Sequence, residues 1–373
     1  MRKYGKILLS IVGITVVLNL LAFCTDFCNF YTDYIYVYIA NGYGWIMDWI
    51  PFALGEIFMY LGMIFILLLP ITGIVYFFVR KKPAIRLWLR RYLKGMLALA
   101  VVILFVYTTL WFIPFRADSL DVKPDIDRTY SLNELELARA YVVNQMNDIA
   151  KKIQRDQEGH ILYCEDMAGE TKEAFAKISK EYPRLKGHYP EMKEAFCSDF
   201  LEWMGIGGYT YPYTMEITCN RYTARMDYPA IYAHEMAHHK GYYKENEANF
   251  ISFLVCSSSD ELCLQYSAYR EIFYYLDNDC YENIVADDSE AAWEQWEKQP
   301  QPSEQVMWDE EDIANEGAEM YEEGVNTVME ESVSGYAEEA SEVGWDMQAD
   351  ILREANYDGV VEYVLEYYDG VLY

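Results

Sequence analysis

Histidine is scarce in this chain: among 373 residues there are five, at positions 160, 188, 234, 238 and 239. Chemistry built on imidazole therefore has few residues to use, and three of the five fall within six positions. A CxxC spacing is missing too. Six cysteines lie beyond residue 115 (164, 197, 219, 256, 263 and 280) without a CxxC spacing among them, which argues against a cysteine-ligated zinc. Basic residues are sparse over most of the length. Residues 1–115 hold ten Lys/Arg against four Asp/Glu, whereas the remainder holds 20 basic and 55 acidic residues, a net charge of −35. Such a portion is repelled by phosphate backbones and anionic headgroups, so nucleic acid is not expected as a partner.

Charge of either sign is absent from three apolar stretches, 7–24, 57–79 and 95–115, each long enough to cross a bilayer. The expectation is a membrane protein whose residues 1–115 form the transmembrane region. Leu21-Ala22-Phe23-Cys24 faintly resembles a lipoprotein cleavage box, but Phe23 stands where a small residue is required, which favours an uncleaved anchor. The tail carries Arg2, Lys3 and Lys6, and the loop after the second stretch carries Arg80, Lys81, Lys82, Arg86, Arg90, Arg91 and Lys94; the first loop has no Lys or Arg. The positive-inside rule then puts tail and second loop in the cytoplasm and residues 116–373 outside the cytoplasmic membrane. Tyr31, Tyr34, Tyr36, Tyr38, Trp45, Trp49 and Phe52 fit an outer aromatic belt. In that oxidising location an even number of cysteines permits disulfides, although Cys197, Cys219 and Cys256 sit in apolar contexts that suit core residues.

What the chain does have is His234-Glu235-Met236-Ala237-His238, followed by Glu245 in Glu245-Asn246-Glu247-Ala248-Asn249. On a helix, histidines at i and i+4 project from one face, close enough to share a metal, with Glu235 beside them to polarise a water. Asp227 as N-cap, Pro229 in the first turn and Gly241 past the second histidine delimit a short helix. Ala230, Ala233 and Ala237 allow it to pack closely. Glu245 then opens a second helix, with Asn249 one turn on and Ala248, Ile251, Phe253 and Leu254 for packing. Glu247 is the rival third ligand, or else a solvated residue. His239 points away from the pair, toward the surface or a supporting role. The bland alternative is an ordinary helix with two partly buried histidines.

These residues resemble a zincin active-site helix, and the HExxH plus ExxAN pairing is similar to gluzincin-like peptidases. The resemblance implies zinc held by His234, His238 and Glu245, with Asn249 hydrogen-bonding a zinc-bound histidine. It also implies an edge strand pairing with extended substrate, for which Thr214–Asn220 is the candidate after the Gly205–Gly208 loop, and a tyrosine stabilising the transition state, with Tyr266 and Tyr269 as candidates. Ile50-Pro51-Phe52-Ala53-Leu54-Gly55-Glu56, the blocks Gly205–Tyr209 and Tyr211–Glu216, Asn246–Phe250, Tyr266–Tyr269 and Asp358–Tyr363 together resemble an uncharacterised bacterial family, a domain of unknown function with N-terminal membrane spans and a zinc-peptidase domain.

The expected fold is thus about three N-terminal transmembrane helices followed by a mainly α (α+β) zincin-like domain over 116–285. An acidic, mostly helical or partly disordered segment over 286–345 follows, then a C-terminal helix over 346–373 packed on the catalytic domain. The expected function is that of a membrane-anchored zinc metallopeptidase cleaving a peptide or protein substrate in the cell envelope, with Zn2+ as cofactor and the lipid bilayer as a second partner. A catalytically inactive zincin-like binding or sensor protein is the alternative, against which the intact Glu235 argues.

Overall fold

A computed structural model describes residues 3–79, 83–123, 128–286, 289–326 and 359–373, and the fold is mainly helical. The chain divides into two compact units, one of residues 1–118 with 210–216, the other of residues 119–209 with 217–373.

In the first unit, α1 (Lys3–Leu21) is followed by α2 (Thr25–Tyr31), a π-helical turn (Thr32–Tyr36), α3 (Val37–Met47), α4 (Leu54–Val79) and α5 (Pro83–Tyr107). A second π-helical turn (Thr108–Phe112) and α6 (Ile113–Phe115) extend α5. Among the described residues, three helical stretches are long and apolar enough to cross a membrane, Tyr4–Leu21, Leu54–Phe78 and Pro83–Phe115. Leu67 and Phe78 are 69% and 76% exposed, and side chains of this kind in such number need a hydrocarbon solvent, which points to association with a membrane. The third stretch begins twelve residues before the apolar run at 95–115, so Arg86, Arg90, Arg91 and Lys94 lie on α5 itself rather than in a loop. Arg, Lys and Leu are good helix formers, and the helix continues past the point where hydropathy falls. Asn19 Nδ2 joins α1 to the end of α5 by donating to Thr108 Oγ1 at 2.9 Å. Of the expected aromatic belt, Tyr34, Tyr38, Trp45, Trp49 and Phe52 are exposed, but Tyr31 and Tyr36 are buried by the packing of the short helices.

The turn over residues 210–216 belongs to this unit through Glu216. Its carboxylate accepts the backbone N–H groups of Leu54 (3.0 Å) and Gly55 (2.7 Å) and the Thr214 hydroxyl (2.6 Å), satisfying donors that the start of α4 would otherwise orphan. Gly55 has no freedom to change, since a Cβ there would stand 2.3 Å from Tyr211 Cδ1.

The second unit contains α7 (Leu132–Ala150), α8 (Met167–Ile178), β1 (Lys193–Glu194), α9 (Ser198–Trp203) and the larger part of the strand pair β2 (Gly208–Tyr211) and β3 (Glu216–Cys219), of which Thr210, Tyr211 and Glu216 count with the first unit. There follow α10 (Tyr228–His239), α11 (Glu245–Ser257), α12 (Leu262–Val285), α13 (Glu290–Glu297), α14 (Glu304–Asn326) and α15 (Gly359–Tyr368). Helix α7 starts at a capping box, Ser131 with Glu134. It packs on α12, which packs on α10 and α11; α15 lies on α11. Val142, Met146, Phe253, Leu264 and Leu276 are among the buried residues of their common core.

The small sheet has the order β1-β3-β2, with β1 parallel to β3. This corrects the expectation for Thr214–Asn220: β3 is the central strand, and β2 is an edge. All four residues of β3 are buried, as suits a strand carrying Ile217 and Thr218 between two neighbours, whereas the glycine-led β2 is only partly buried.

The described part of the acidic region is helical, in α13 and α14. Asp309 of α14 is 1% exposed, takes both guanidinium nitrogens of Arg155 at 2.6 and 2.8 Å, and fixes the helix to the unit. Residues 327–345 of the expected acidic segment and 346–358 of the expected C-terminal helix lie outside the described residues.

Candidate metal centre

The site begins with how α10 ends. Lys240 is its C-cap and Gly241 takes φ 94°, a left-handed conformation that glycine adopts without a Cβ penalty. The N–H groups of Gly241 and Tyr242 donate to the carbonyls of His238 (2.9 Å) and Ala237 (3.1 Å), the paired bonds of a Schellman closure. The chain reverses there, and Glu245 becomes the first residue of α11. At the other end Pro229 sits in the first turn, but Asp227, although at the N-cap, makes no capping bond. Its carboxylate is instead taken by Arg270 Nη1 at 2.7 Å.

Ala233, Ala237 and Ala248 are fully buried, so α10 and α11 lie close enough for their polar side chains to meet. His234 Nε2 is 3.1 Å from Glu245 Oε2, and His238 Nε2 is 3.6 Å from Glu245 Oε1. One ligand atom from each of the three residues lies within 4.8 Å of the others. Bonds of about 2.0–2.1 Å to a tetrahedral zinc would separate neighbouring donors by about 3.3 Å, so the donor set fits that ion. His238 Nδ1 is 2.8 Å from the Tyr242 carbonyl, an acceptor that holds hydrogen on Nδ1, so that in the neutral ring Nε2 is the nitrogen with a lone pair for a metal. The centre also draws positive charge. Burial pulls the His234 pKa down, but the Glu245 carboxylate, with Glu235 and Glu271 in support, raises it to about 9. Burial would raise the Glu245 carboxyl, yet hydrogen bonds to His234 and His238 hold it well below the usual range.

Glu235 is 4% exposed and faces the sheet. A Cβ on Gly208 of β2 would meet the Thr218 carbonyl at 2.5 Å, Ile231 at 3.1 Å and Glu235 Cγ at 3.2 Å; one on Gly207 would meet Ile231 at 2.6 Å. The two glycines therefore let an edge strand pass directly over the face of α10 that carries Glu235, close backbone approach of the kind that glycine in a strand commonly marks.

Other expected residues are placed differently. Glu247 is neither a member of the cluster nor solvated: it is 3% exposed and accepts the Leu120 N–H at 2.7 Å. His239 is fully buried rather than at the surface, because the far side of α10 is covered as well. Asn249 is buried and its amide donates to the Tyr275 hydroxyl at 3.0 Å. Tyr266 donates to Asp309 at 2.9 Å, and Tyr269 packs with Phe253 and Tyr368, so both rings serve the helical core. The aromatic ring that does reach the centre is Tyr243, nearly parallel to His238 with centroids 6.1 Å apart. Its signal in the sequence was its place between Gly241 and Glu245. Glu271 had no such signal, since it lies on α12 and meets the site only through packing. The eight cysteines carry free thiols, with Cys219 and Cys256 buried and Cys197 partly so.

The family described as Protein of unknown function (DUF3810) matches residues 31–337, and the chain belongs to it. No curated protein and no solved structure matches the chain. The family reaches from the first unit through the candidate centre, and its description assigns no activity.

Proposed function

We propose that this chain is a membrane-anchored zinc metallopeptidase of the gluzincin type, with its catalytic unit at the outer face of the cytoplasmic membrane. The observation that carries the reading is the meeting of His234, His238 and Glu245 beside Glu235, under an edge strand made of glycine at the point of approach. Three protein donors leave a fourth position open, as a catalytic zinc site requires and a structural one does not. When bound, zinc supplies Lewis acidity, lowering the pKa of a coordinated water and polarising a carbonyl. His234, His238 and Glu245 hold the ion, and Tyr242 fixes the tautomer of His238. Glu235 accepts the proton of the attacking water and returns it to the leaving amine. The edge strand β2, entered through Gly207 and Gly208, suits an extended peptide backbone laid along it, and Tyr243, whose ring stacks on His238, replaces Tyr266 and Tyr269 as the candidate phenol. The outward orientation rests on the lysines and arginines of the tail and of the start of α5.

The test uses the full-length protein in detergent: about one zinc per chain by elemental analysis, and cleavage of a peptide library that stops on adding a chelator. Absence of bound zinc after reconstitution would refute the reading. Proteolysis of spheroplasts checks the sidedness, since a second unit protected until the membrane is broken would place it in the cytoplasm.

A further inference from the structure

The helical stretch from Thr25 to Met47, made of α2, the first π-helical turn and α3, joins the first span to the second. Its residues sort into two sets, each recurring mostly every four positions. Cys28, Thr32, Tyr36, Ala40 and Gly44 are buried, whereas Phe30, Tyr34 and Tyr38, then Trp45 and Trp49 just past the helix, are exposed, Tyr38 by 77% and Trp49 by 87%. A four-residue repeat drifts around an α-helix of about 3.6 residues per turn. The wider π-helical turn at Thr32–Tyr36 takes up that drift, so the two sets stay on opposite faces. The Phe30 and Tyr34 rings lie 5.4 Å apart, and Leu20, Leu21 and Phe23, exposed at the end of α1, lead into the aromatic stripe. Asp33 and Asp48 fall outside the repeat, and no Lys or Arg occurs between Lys6 and Arg80.

At about 1.5 Å per residue, Thr25–Met47 is about 34 Å long, enough to cross the hydrocarbon core of a bilayer. Its contacts hold it at one end of the spans instead. The bond between Asn19 and Thr108 brings the last turn of α1 to the end of α5, so the first and third spans finish at one level. Just beyond, Arg116 Nε donates to the Ala22 carbonyl at 2.7 Å, and the Asp118 N–H donates to Asn29 Oδ1 at 2.8 Å. The Tyr36 hydroxyl lies 3.9 Å from Met215 Sδ, and Glu216, the next residue, accepts the N–H groups of Leu54 and Gly55 at the start of α4. The beginning and middle of the stretch, and the chain soon after its end, are therefore all fixed where α1 and α5 finish and α4 begins.

We propose that Thr25–Met47 is an interfacial helix whose aromatic stripe docks into the headgroup–acyl boundary of a zwitterionic phospholipid leaflet, at the membrane surface where residue 116 leaves the third span. Tyr and Trp carry an apolar ring and a polar tip, the combination that settles at this boundary. The stripe continues the exposed apolar surface of α1, which itself needs lipid around it. Without basic residues the stretch has no attraction for anionic headgroups, so burial of apolar area is the force that seats it. Its opposite face carries Tyr36 against Met215, so lipid and the 210–216 turn are held on the two sides of one helix. This docking does not depend on the metal centre.

The test uses the full-length protein reconstituted in phosphatidylcholine vesicles, part of whose lipid carries bromine either near the headgroup or near the chain ends. Bromine quenches tryptophan at contact, and the emission of Trp45 and Trp49 is read as the difference between the parent and the double variant Trp45→Phe/Trp49→Phe. If the double variant does not fold, Trp49→Phe alone supplies the difference. That emission is expected at shorter wavelength than tryptophan in water and quenched more by shallow bromine than by deep bromine. Stronger quenching by deep bromine overturns the proposal, since the stretch would then lie in the hydrocarbon core. No quenching by either lipid also overturns it, because the stripe then faces water or protein; chemical cross-linking that captures pairs of chains in the same vesicles would assign it to a second copy. Quenching that appears only when phosphatidylglycerol is added overturns the zwitterionic chemistry and makes the docking one of charge.

Discussion

Glu245 and Glu247 stand two residues apart in the first turn of α11 and meet opposite surroundings. Glu245 is partly exposed and faces two imidazoles, which hold its carboxyl below the ordinary range against the effect of burial. Glu247 is sealed against the Leu120 backbone, and burial pushes its carboxyl up, with Lys244 and the Leu120 N–H only partly countering. One is therefore an anion kept available, and the other an acceptor that closes a buried donor. A spacing rule sees both as acids near an HExxH. What separates them is which side of the helix faces α10 and which faces the strand of chain around residue 120.

The largest effect expected from that contrast is on metal binding. Glu245→Ala should abolish zinc binding at micromolar metal, as should His234→Ala and His238→Ala, because each removes one of three donors. Glu247→Ala should retain zinc and instead lower stability by about 1–3 kcal/mol, the cost of leaving the buried Leu120 N–H without its acceptor. Zinc titration and urea unfolding of the same two variants read both numbers, and a reversed ranking would move the ligand to Glu247.

A third carboxylate sharpens the comparison, because Glu235 neighbours the donors without joining them. Glu235→Gln should keep the metal and lose about 10²–10⁴-fold in peptide hydrolysis, since the amide preserves shape but cannot accept a proton. Parent-like turnover in that variant would leave the reaction without its base. Smaller still is the effect of crowding this residue from above: Gly208→Ala must displace the Thr218 carbonyl or Glu235, and should cost about 1–3 kcal/mol in unfolding. Asn249→Ala is expected to change zinc affinity by less than about tenfold, below the range for a group bonded to a ligand, as its amide is turned to Tyr275.

Legibility in the sequence followed distance along the chain. His234, His238, Gly241 and Glu245 lie within twelve residues, and the geometry that joins them follows from helical period and one left-handed glycine. The apolar helices were legible for a similar reason, because a membrane span is defined by its own composition; only the start of α5 was misplaced, since helix propensity outlasts hydropathy. Strand order was not legible. Nothing in Thr214–Asn220 reveals that β1 will pair with its far side, so by its local sequence the central strand reads as an edge. The fates of Asp227 and Asn249 were hidden likewise: each has a good local role by type, and each is claimed by a residue of α12, Arg270 and Tyr275. Local propensity proposes a partner, but a better one brought from another helix takes the group.

The smallest expected effect is on the pH dependence of the metal-free protein, where the two glutamates of α11 should act with opposite sign. The folded pKa of Glu245 is depressed, so its contribution is present above the unfolded value of about 4.3 and is lost as pH falls through the folded one. That of His234 is raised to about 9, so its contribution is complete below about 6.5 and is lost as pH rises through the folded value. The cluster as a whole should therefore stabilise most between about pH 4.3 and 6.5 and decline toward alkaline pH. Glu247, with its pKa raised, works against folding once pH exceeds about 4.3, where the unfolded chain ionises more readily. Glu245 is a third exposed and water screens its pairing, which keeps the effect modest. Urea midpoints of chelator-treated protein across pH 4 to 10 provide the measurement. Glu245→Gln should flatten the alkaline decline, and Glu247→Gln should gain on the parent as pH rises above about 5; a parent curve without alkaline decline would show that His234 and Glu245 are not coupled when the metal is absent.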